Sequence, residues 1–224
     1  MTVYSRYTPY ISITAGGRDW VLHRPANLEA LWDAMTEDEF GDDERLPYWV
    51  ELWPASIALV DWLADKGGFL KGRICLDMGC GLGLTAMAAS ALGARVVAMD
   101  YEKDALAYAY KNAVSNNVPQ PLWTAMDWRG PAVRANSIDC IWGGDIMYEQ
   151  RFVDPVLRFI GHALAPGGRV WMAEPNREVY RYFRSALFHE GWTAKPVYTG
   201  RLAAIYEQPE RVSVTLWEIA RGQA

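Results

Sequence analysis

Apolar positions along the chain follow two alternating rhythms. Short, nearly continuous apolar runs occupy residues 73–77, 94–100, 122–126, 138–142 and 169–174. Between them, at 84–92, 103–115, 152–164 and 178–190, apolar residues return every three or four positions. Continuous runs of that length are what a strand buried on both faces requires, and the longer period is that of a helix with one buried stripe. A further helix is predicted upstream. Pro54 suits a first helical turn, Leu59, Trp62 and Leu63 fall at i, i+3 and i+4, and Gly67-Gly68 marks the end. Strands that alternate with helices predict an α/β fold, a Rossmann-like, doubly wound, mostly parallel sheet covered on both faces.

The two ends depart from this alternation. Residues 193–199 and 211–220 are strand-like with no helical pattern between them, which predicts an antiparallel hairpin closing the sheet. In the second run Val212, Val214 and Leu216 alternate with Ser213 and Thr215, as in a strand with two different faces. At the start, residues 10–14 and 20–23 flank the turn-forming Ala15-Gly-Gly-Arg-Asp19, a β-hairpin signal. A short helix is expected from Asn27, a good N-cap, and the acidic stretch 36–45 reads as a solvated loop. The chain therefore divides into an N-terminal extension of hairpin and helix, residues 1–46, packed on a main domain of residues 47–224.

Composition narrows the function classes. No run of about 18 apolar residues is present, so no membrane span is expected, and the start lacks a secretory pattern, which points to the cytoplasm. The net charge of −5 argues against a phosphate-tracking surface for nucleic acid. The three cysteines lack zinc-site spacing, and no metal is expected. Cys75 and Cys140 lie in apolar runs as buried hydrophobes, Cys80 lines a glycine loop, and the eleven tryptophans are expected mostly to fill the core.

A doubly wound sheet binds ligands beyond the carboxyl ends of its strands. The first of those ends is Asp77-Met-Gly79-Cys-Gly81-Leu-Gly83, running into a helix. Its glycines let the backbone turn sharply and approach a ligand, and the helix start offers amides, although a tight turn without a ligand would use the same residues. A dinucleotide fingerprint needs Gly or Ala at position 84, where this chain has Leu84. Asp77 would repel a pyrophosphate and attract a cationic, methionine-derived ligand. Asp100 ends the second strand, where an acid can accept both hydroxyls of a ribose or cap a helix. Asp127 and Trp128 follow the third, where a carboxylate could accept from an adenine amino group and an indole could stack on its ring, or the acid could serve a surface turn. His23, His162 and His189 lie apart, with no nucleophile–base arrangement among them.

These residues resemble the seven-strand class of S-adenosylmethionine-dependent methyltransferases, over residues 49–220. The resemblance implies that Gly79, Gly81 and Gly83 approach the methionine part, Asp100 the ribose, and Asp127 and Trp128 the adenine, with Asp77 in the same cofactor-binding loop. Asp145-Ile-Met-Tyr148 resembles the Asp-x-x-Tyr signature of the family 16 protein-lysine methyltransferases, and Trp49-Val-Glu-Leu-Trp53-Pro-Ala resembles their upstream segment. That second resemblance implies methyl transfer to an amine, a protein lysine first and a small amine as the alternative. Trp53 would then join the cofactor site, Asp145 would position the amine and Tyr148 would wall the methyl path. The competing expectations are a nucleotide-linked oxidoreductase on a similar sheet and a non-catalytic cofactor-binding module.

Overall fold

A computed structural model describes residues 4–5, 8–26, 31, 47–206 and 211–222. The helix start at Asn27 and the acidic stretch 36–45 lie outside the described residues. The N-terminal hairpin pairs β1 (Tyr10–Ala15) with β2 (Arg18–His23) in register from Tyr10↔His23 to Ala15↔Arg18. The turn is shorter than the sequence predicts, only Gly16-Gly17, because Ala15 and Arg18 continue the ladder. Tyr48–Val50 form a single 3-10 turn that leads into α1 (Pro54–Asp65), which carries Pro54 in its first turn. The expected stop at Gly67-Gly68 falls one residue earlier, at Lys66, and the two glycines begin a separate short helix, α2 (Gly67–Leu70).

The main sheet then builds up as β3 (Ile74–Met78), α3 (Leu84–Ala91), β4 (Arg95–Asp100), α4 (Lys103–Ser115) and β5 (Leu122–Ala125). It continues through β6 (Ile138–Gly144), α5 (Val153–Ala163), β7 (Leu164–Glu174), α6 (Val179–His189), β8 (Trp192–Leu202) and β9 (Val212–Arg221). The seven strands lie in the order β5-β4-β3-β6-β7-β9-β8, so the sheet is doubly wound about β3. The pairs from β5 to β7 are parallel, and β9 is antiparallel to both β7 and β8.

The expected antiparallel hairpin is β8 with β9, and β9 is inserted between β7 and β8, where Thr215 is buried with its hydroxyl donating to the Asn176 side chain at 2.9 Å. Polar residues at 213 and 215 imitate an exposed face, but a local hydrogen bond satisfies the buried one.

Both faces of the sheet are packed. Helices α5 and α6 cover one face through Val156, Phe159, Ile160, Phe183 and Leu187. Helices α1 and α3 cover the other through Leu59, Leu63, Ala86 and Ala89. Each fully buried Leu or Phe contributes about 1.5–3 kcal/mol. Cys75 and Cys140 are buried neighbours in register on β3 and β6, as small hydrophobes in the core.

The hairpin is tied down by two asparagines, Asn112 of α4 and Asn116 at its C-cap. Asn112 accepts from the His23 amide at 2.7 Å and donates to the carbonyls of His23 and Leu82 at 3.1 and 3.0 Å. Asn116 accepts from the Val21 amide and donates to its carbonyl, at 3.0 and 2.7 Å. The two side-chain amides act as a short backbone edge for β2. Through Leu82, Asn112 also joins the hairpin to the glycine loop that follows β3.

Candidate active site

The carboxyl ends of β3, β4, β5 and β6 open on one cleft of about 1190 Å³, counting the solvent at its mouth. Its floor is the glycine loop. Gly79 has φ +69°, and a Cβ there would stand 2.8 Å from Cγ2 of Ile146, so only glycine fits. Gly83 enters α3 with φ +86°, and a Cβ would meet Ala109 and Trp123 at 2.8 and 3.0 Å. Gly79, Cys80 and Gly81 line the cleft. Gly83 does not: its role is close packing against α4 and β5.

Asp77 is 1 % exposed and turned into the fold, where it accepts the Thr85 hydroxyl at 2.5 Å. Burial pushes its carboxyl up to about 7, and the Thr85 bond only partly offsets this. It braces the loop against α3 from below and does not line the cleft.

Asp100 does line it. One oxygen accepts the Gly81 amide at 2.8 Å and the other the Glu102 amide at 3.0 Å, so the carboxylate fixes the loop after β3 to the loop after β4. Burial raises its pKa, while those backbone bonds favour the ion. Each oxygen keeps a second lone pair, enough for a pair of vicinal hydroxyls. Asp127 and Trp128 stand beyond β5, on the same cleft. Asp127 is clasped by Arg129, whose amide and Nε donate to it at 2.8 and 2.7 Å. Trp128 packs edge-to-face on Phe152, with centroids 5.1 Å apart.

The opposite wall follows β6. Asp145 is buried at φ +57° and its amide donates to the Ala173 carbonyl at 2.8 Å. Both its oxygens are taken by Arg177, from Nε at 2.8 Å and Nη2 at 3.0 Å. Burial raises the Asp145 pKa and the guanidinium opposes the rise. The Arg177 amide in turn donates to Glu174 at 3.0 Å, and its guanidinium lies 5.9 Å from the Trp53 ring centre. Tyr148 joins an arc of rings, packing on Tyr48 at 5.1 Å and on Phe152 at 5.0 Å, while Tyr48 also meets Trp53 at 6.2 Å. Burial, with Glu149 and Asp100 nearby, pushes the Tyr148 phenol well above its ordinary value, so at neutral pH it is an uncharged wall.

Eight of the ten residues singled out from the sequence thus meet on one cleft: Trp53, Gly79, Gly81, Asp100, Asp127, Trp128, Asp145 and Tyr148. Asp77 and Gly83 support it from behind. Sequence reasoning missed Arg177, Arg129, Tyr48 and Phe152. Arg177 sits in no motif and reaches Asp145 only because β7 is the neighbour of β6. Most tryptophans are expected in the core; beside Trp53 and Trp128, which the sequence assigns to the cofactor site, Trp49 is a third half-buried cleft tryptophan. Among the described residues no cluster of His, Cys, Asp and Glu is arranged to hold a metal, and no helix is long and apolar enough to cross a membrane.

The donor set suits one kind of cofactor. Asp100 can accept a diol, Trp128 and Met126 offer an apolar slot, and glycine backbone leaves room beside them for a compact chain. In fold and in the layout of the cleft the chain is similar to the class I S-adenosylmethionine-dependent methyltransferases. The methyltransferase-domain family model matches residues 75–168. The rat electron transfer flavoprotein beta subunit lysine methyltransferase (Rattus norvegicus) is 31 % identical over 58 % of this chain and 51 % of its own length. A ubiquinone biosynthesis O-methyltransferase of Aeromonas salmonicida is 30 % identical over 55 % of this chain and 52 % of its own. The chain spans about half the length of the curated relatives it matches. In fold it is similar to a 16S rRNA methyltransferase from T. thermophilus solved with AdoMet and guanosine. The TM-score is 0.63 at 15 % identity, covering 96 % of this chain and 50 % of that one.

Proposed function

We propose that the chain transfers the methyl group of S-adenosylmethionine to an amine nitrogen, a protein lysine before a small amine. The observation that carries this reading is the wall after β6, where Asp145 and the ring of Tyr148 border the same cleft as Asp100 and the glycine loop. In this reading Asp100 holds the ribose hydroxyls, Gly79 and Gly81 admit the methionine part, and Trp128 with Asp127 borders the adenine. Trp53 and Tyr148 wall the path along which the amine approaches. The relatives described as lysine methyltransferases, near 30 % identity, add support from outside the geometry.

When bound, S-adenosylmethionine supplies a methyl carbon activated by a sulfonium. The chain's own work is alignment and exclusion of water, since an in-line displacement needs no covalent enzyme intermediate. An oxygen acceptor, as the O-methyltransferase relative's name describes, is favoured less. A phenol must be deprotonated, and among the described residues lining the cleft there is no histidine or lysine to take that proton.

The test uses a lysate from cells lacking the protein, incubated with the purified chain and S-adenosylmethionine labelled in its methyl group. Label on protein that survives hydrolysis as methyl-lysine supports the reading. Label confined to small molecules moves the assignment to a small acceptor, and no transfer to any fraction overturns it.

A further inference from the structure

A carboxylate at the acceptor side poses an electrostatic difficulty for any amine methyltransferase. It stabilises the ammonium form, and an ammonium has no lone pair to attack with. Here the carboxylate is not free. Both oxygens of Asp145 are bound by Arg177, at 2.8 and 3.0 Å, in the parallel fork that gives the strongest carboxylate pairing. The pair is built in. Asp145 is buried, its left-handed backbone is pinned by the Ala173 carbonyl, and Arg177 is pinned through its own amide to Glu174. The guanidinium also lies near Trp53, so the clamp belongs to the cleft wall.

We infer that Arg177 is a positioning residue: by occupying both oxygens of Asp145 it aligns that carboxylate and cancels its charge, so the site admits the acceptor as free amine. The inference rests on the amine reading above. The nitrogen lone pair then forms the N–C bond as the C–S bond breaks with its electron pair going to sulfur. The product is the methylammonium ion, and the proton released overall is the one the acceptor gives to solvent before it attacks. With the charge of Asp145 cancelled, the clamp does not retain that cation.

The other charged or titratable groups facing this wall are Glu174 at the end of β7, Tyr48 of the 3-10 turn, Tyr148, Glu149 and Arg151 after β6, and Asp100 at the end of β4. They are common to every variant compared below, so differences between variants report on the clamp.

The probe is n-butylamine, the lysine side chain without its backbone, added to full-length protein saturated with S-adenosylhomocysteine. Binding is followed by shifts of the tryptophan indole N–H signals at pH 7.0 and 9.0. An alkyl amine with a pKa of about 10.4 gains about 100-fold in free base over that interval. Wild type should therefore bind it about 100-fold more tightly at pH 9.0. Arg177→Gln, which leaves Asp145 charged and unpaired, should bind more tightly than wild type at pH 7.0 and vary less than threefold with pH. Arg177→Lys should keep most of the wild-type dependence, and Arg177→Gln with Asp145→Asn should restore it. Unchanged S-adenosylhomocysteine affinity shows that each variant is folded. A wild type indifferent to pH, or an Arg177→Gln protein that retains the 100-fold dependence, overturns the inference alone. Failure of every variant to bind the amine at either pH, with S-adenosylhomocysteine still bound, overturns the amine reading and the inference with it.

Discussion

Replacing Asp77 by Asn separates a loop brace from a ligand contact. The carboxyl is 1 % exposed and held up to about 7 from an ordinary 3.8. An acid whose folded pKa is raised binds more protons folded than unfolded, so it lowers stability as pH rises between the two values. That interval, at about 1.4 kcal/mol per pH unit, is worth about 4 kcal/mol in favour of the neutral form, and burial leaves little solvent to screen it. Asn keeps an acceptor for the Thr85 hydroxyl and carries no charge. Burying its amide hydrogens without partners costs about 1–3 kcal/mol, a term that does not depend on pH. The quantity to measure is therefore a slope. Urea unfolding followed by tryptophan fluorescence, at pH 5 and at pH 7, should show the stability of Asp77→Asn relative to wild type rising by about 3 kcal/mol. S-adenosylhomocysteine affinity at pH 7 should stay within about threefold, because Asp77 lies behind the loop. A difference between the two proteins that is flat with pH, or that falls, refutes the burial argument. A large loss of affinity in a stable variant refutes the brace and restores the direct ligand contact expected from the sequence.

Three further outcomes follow from the same geometry. Asp100→Ala removes the acceptor of the Gly81 and Glu102 amides as well as the diol site, and charged hydrogen bonds worth about 1.5–3 kcal/mol predict a 10- to 100-fold loss of S-adenosylhomocysteine affinity by calorimetry. Gly83→Ala combines a left-handed backbone with contacts of 2.8 and 3.0 Å, and should cost roughly 2–5 kcal/mol in urea unfolding. Tyr148→Phe keeps the uncharged wall and should retain methyl transfer within about tenfold, whereas Tyr148→Ala opens it and should lose about 100-fold or more, as misalignment of that order does.

The parallel part of the sheet was legible because burial on both faces leaves unbroken apolar runs, and the glycine loop because backbone at Gly79 and Gly83 tolerates no Cβ. Asp100 was legible because a strand end directs it to the ligand edge. Less could be read where neighbours in space are distant in the chain. That β9 enters between β7 and β8 is decided by packing and by the Thr215–Asn176 bond, and its alternation shows two different faces without saying which neighbours cover them. Arg177 is 32 residues from Asp145, and nothing local distinguishes it from the arginines that follow on α6. Asp77 and Asp100 both lie at the carboxyl end of a strand, yet one carboxylate turns in to Thr85 and the other lines the cleft. That difference depends on the side chain waiting on the following helix.

Titration of S-adenosylhomocysteine into the purified chain by calorimetry addresses the central claim most directly. Saturable one-to-one binding, accompanied by a rise in Tm that grows with ligand concentration and is largely lost in Asp100→Ala, is the predicted result. Absence of heat and of any Tm shift in folded protein would contradict the cofactor site, and with it the methyl transfer built upon it.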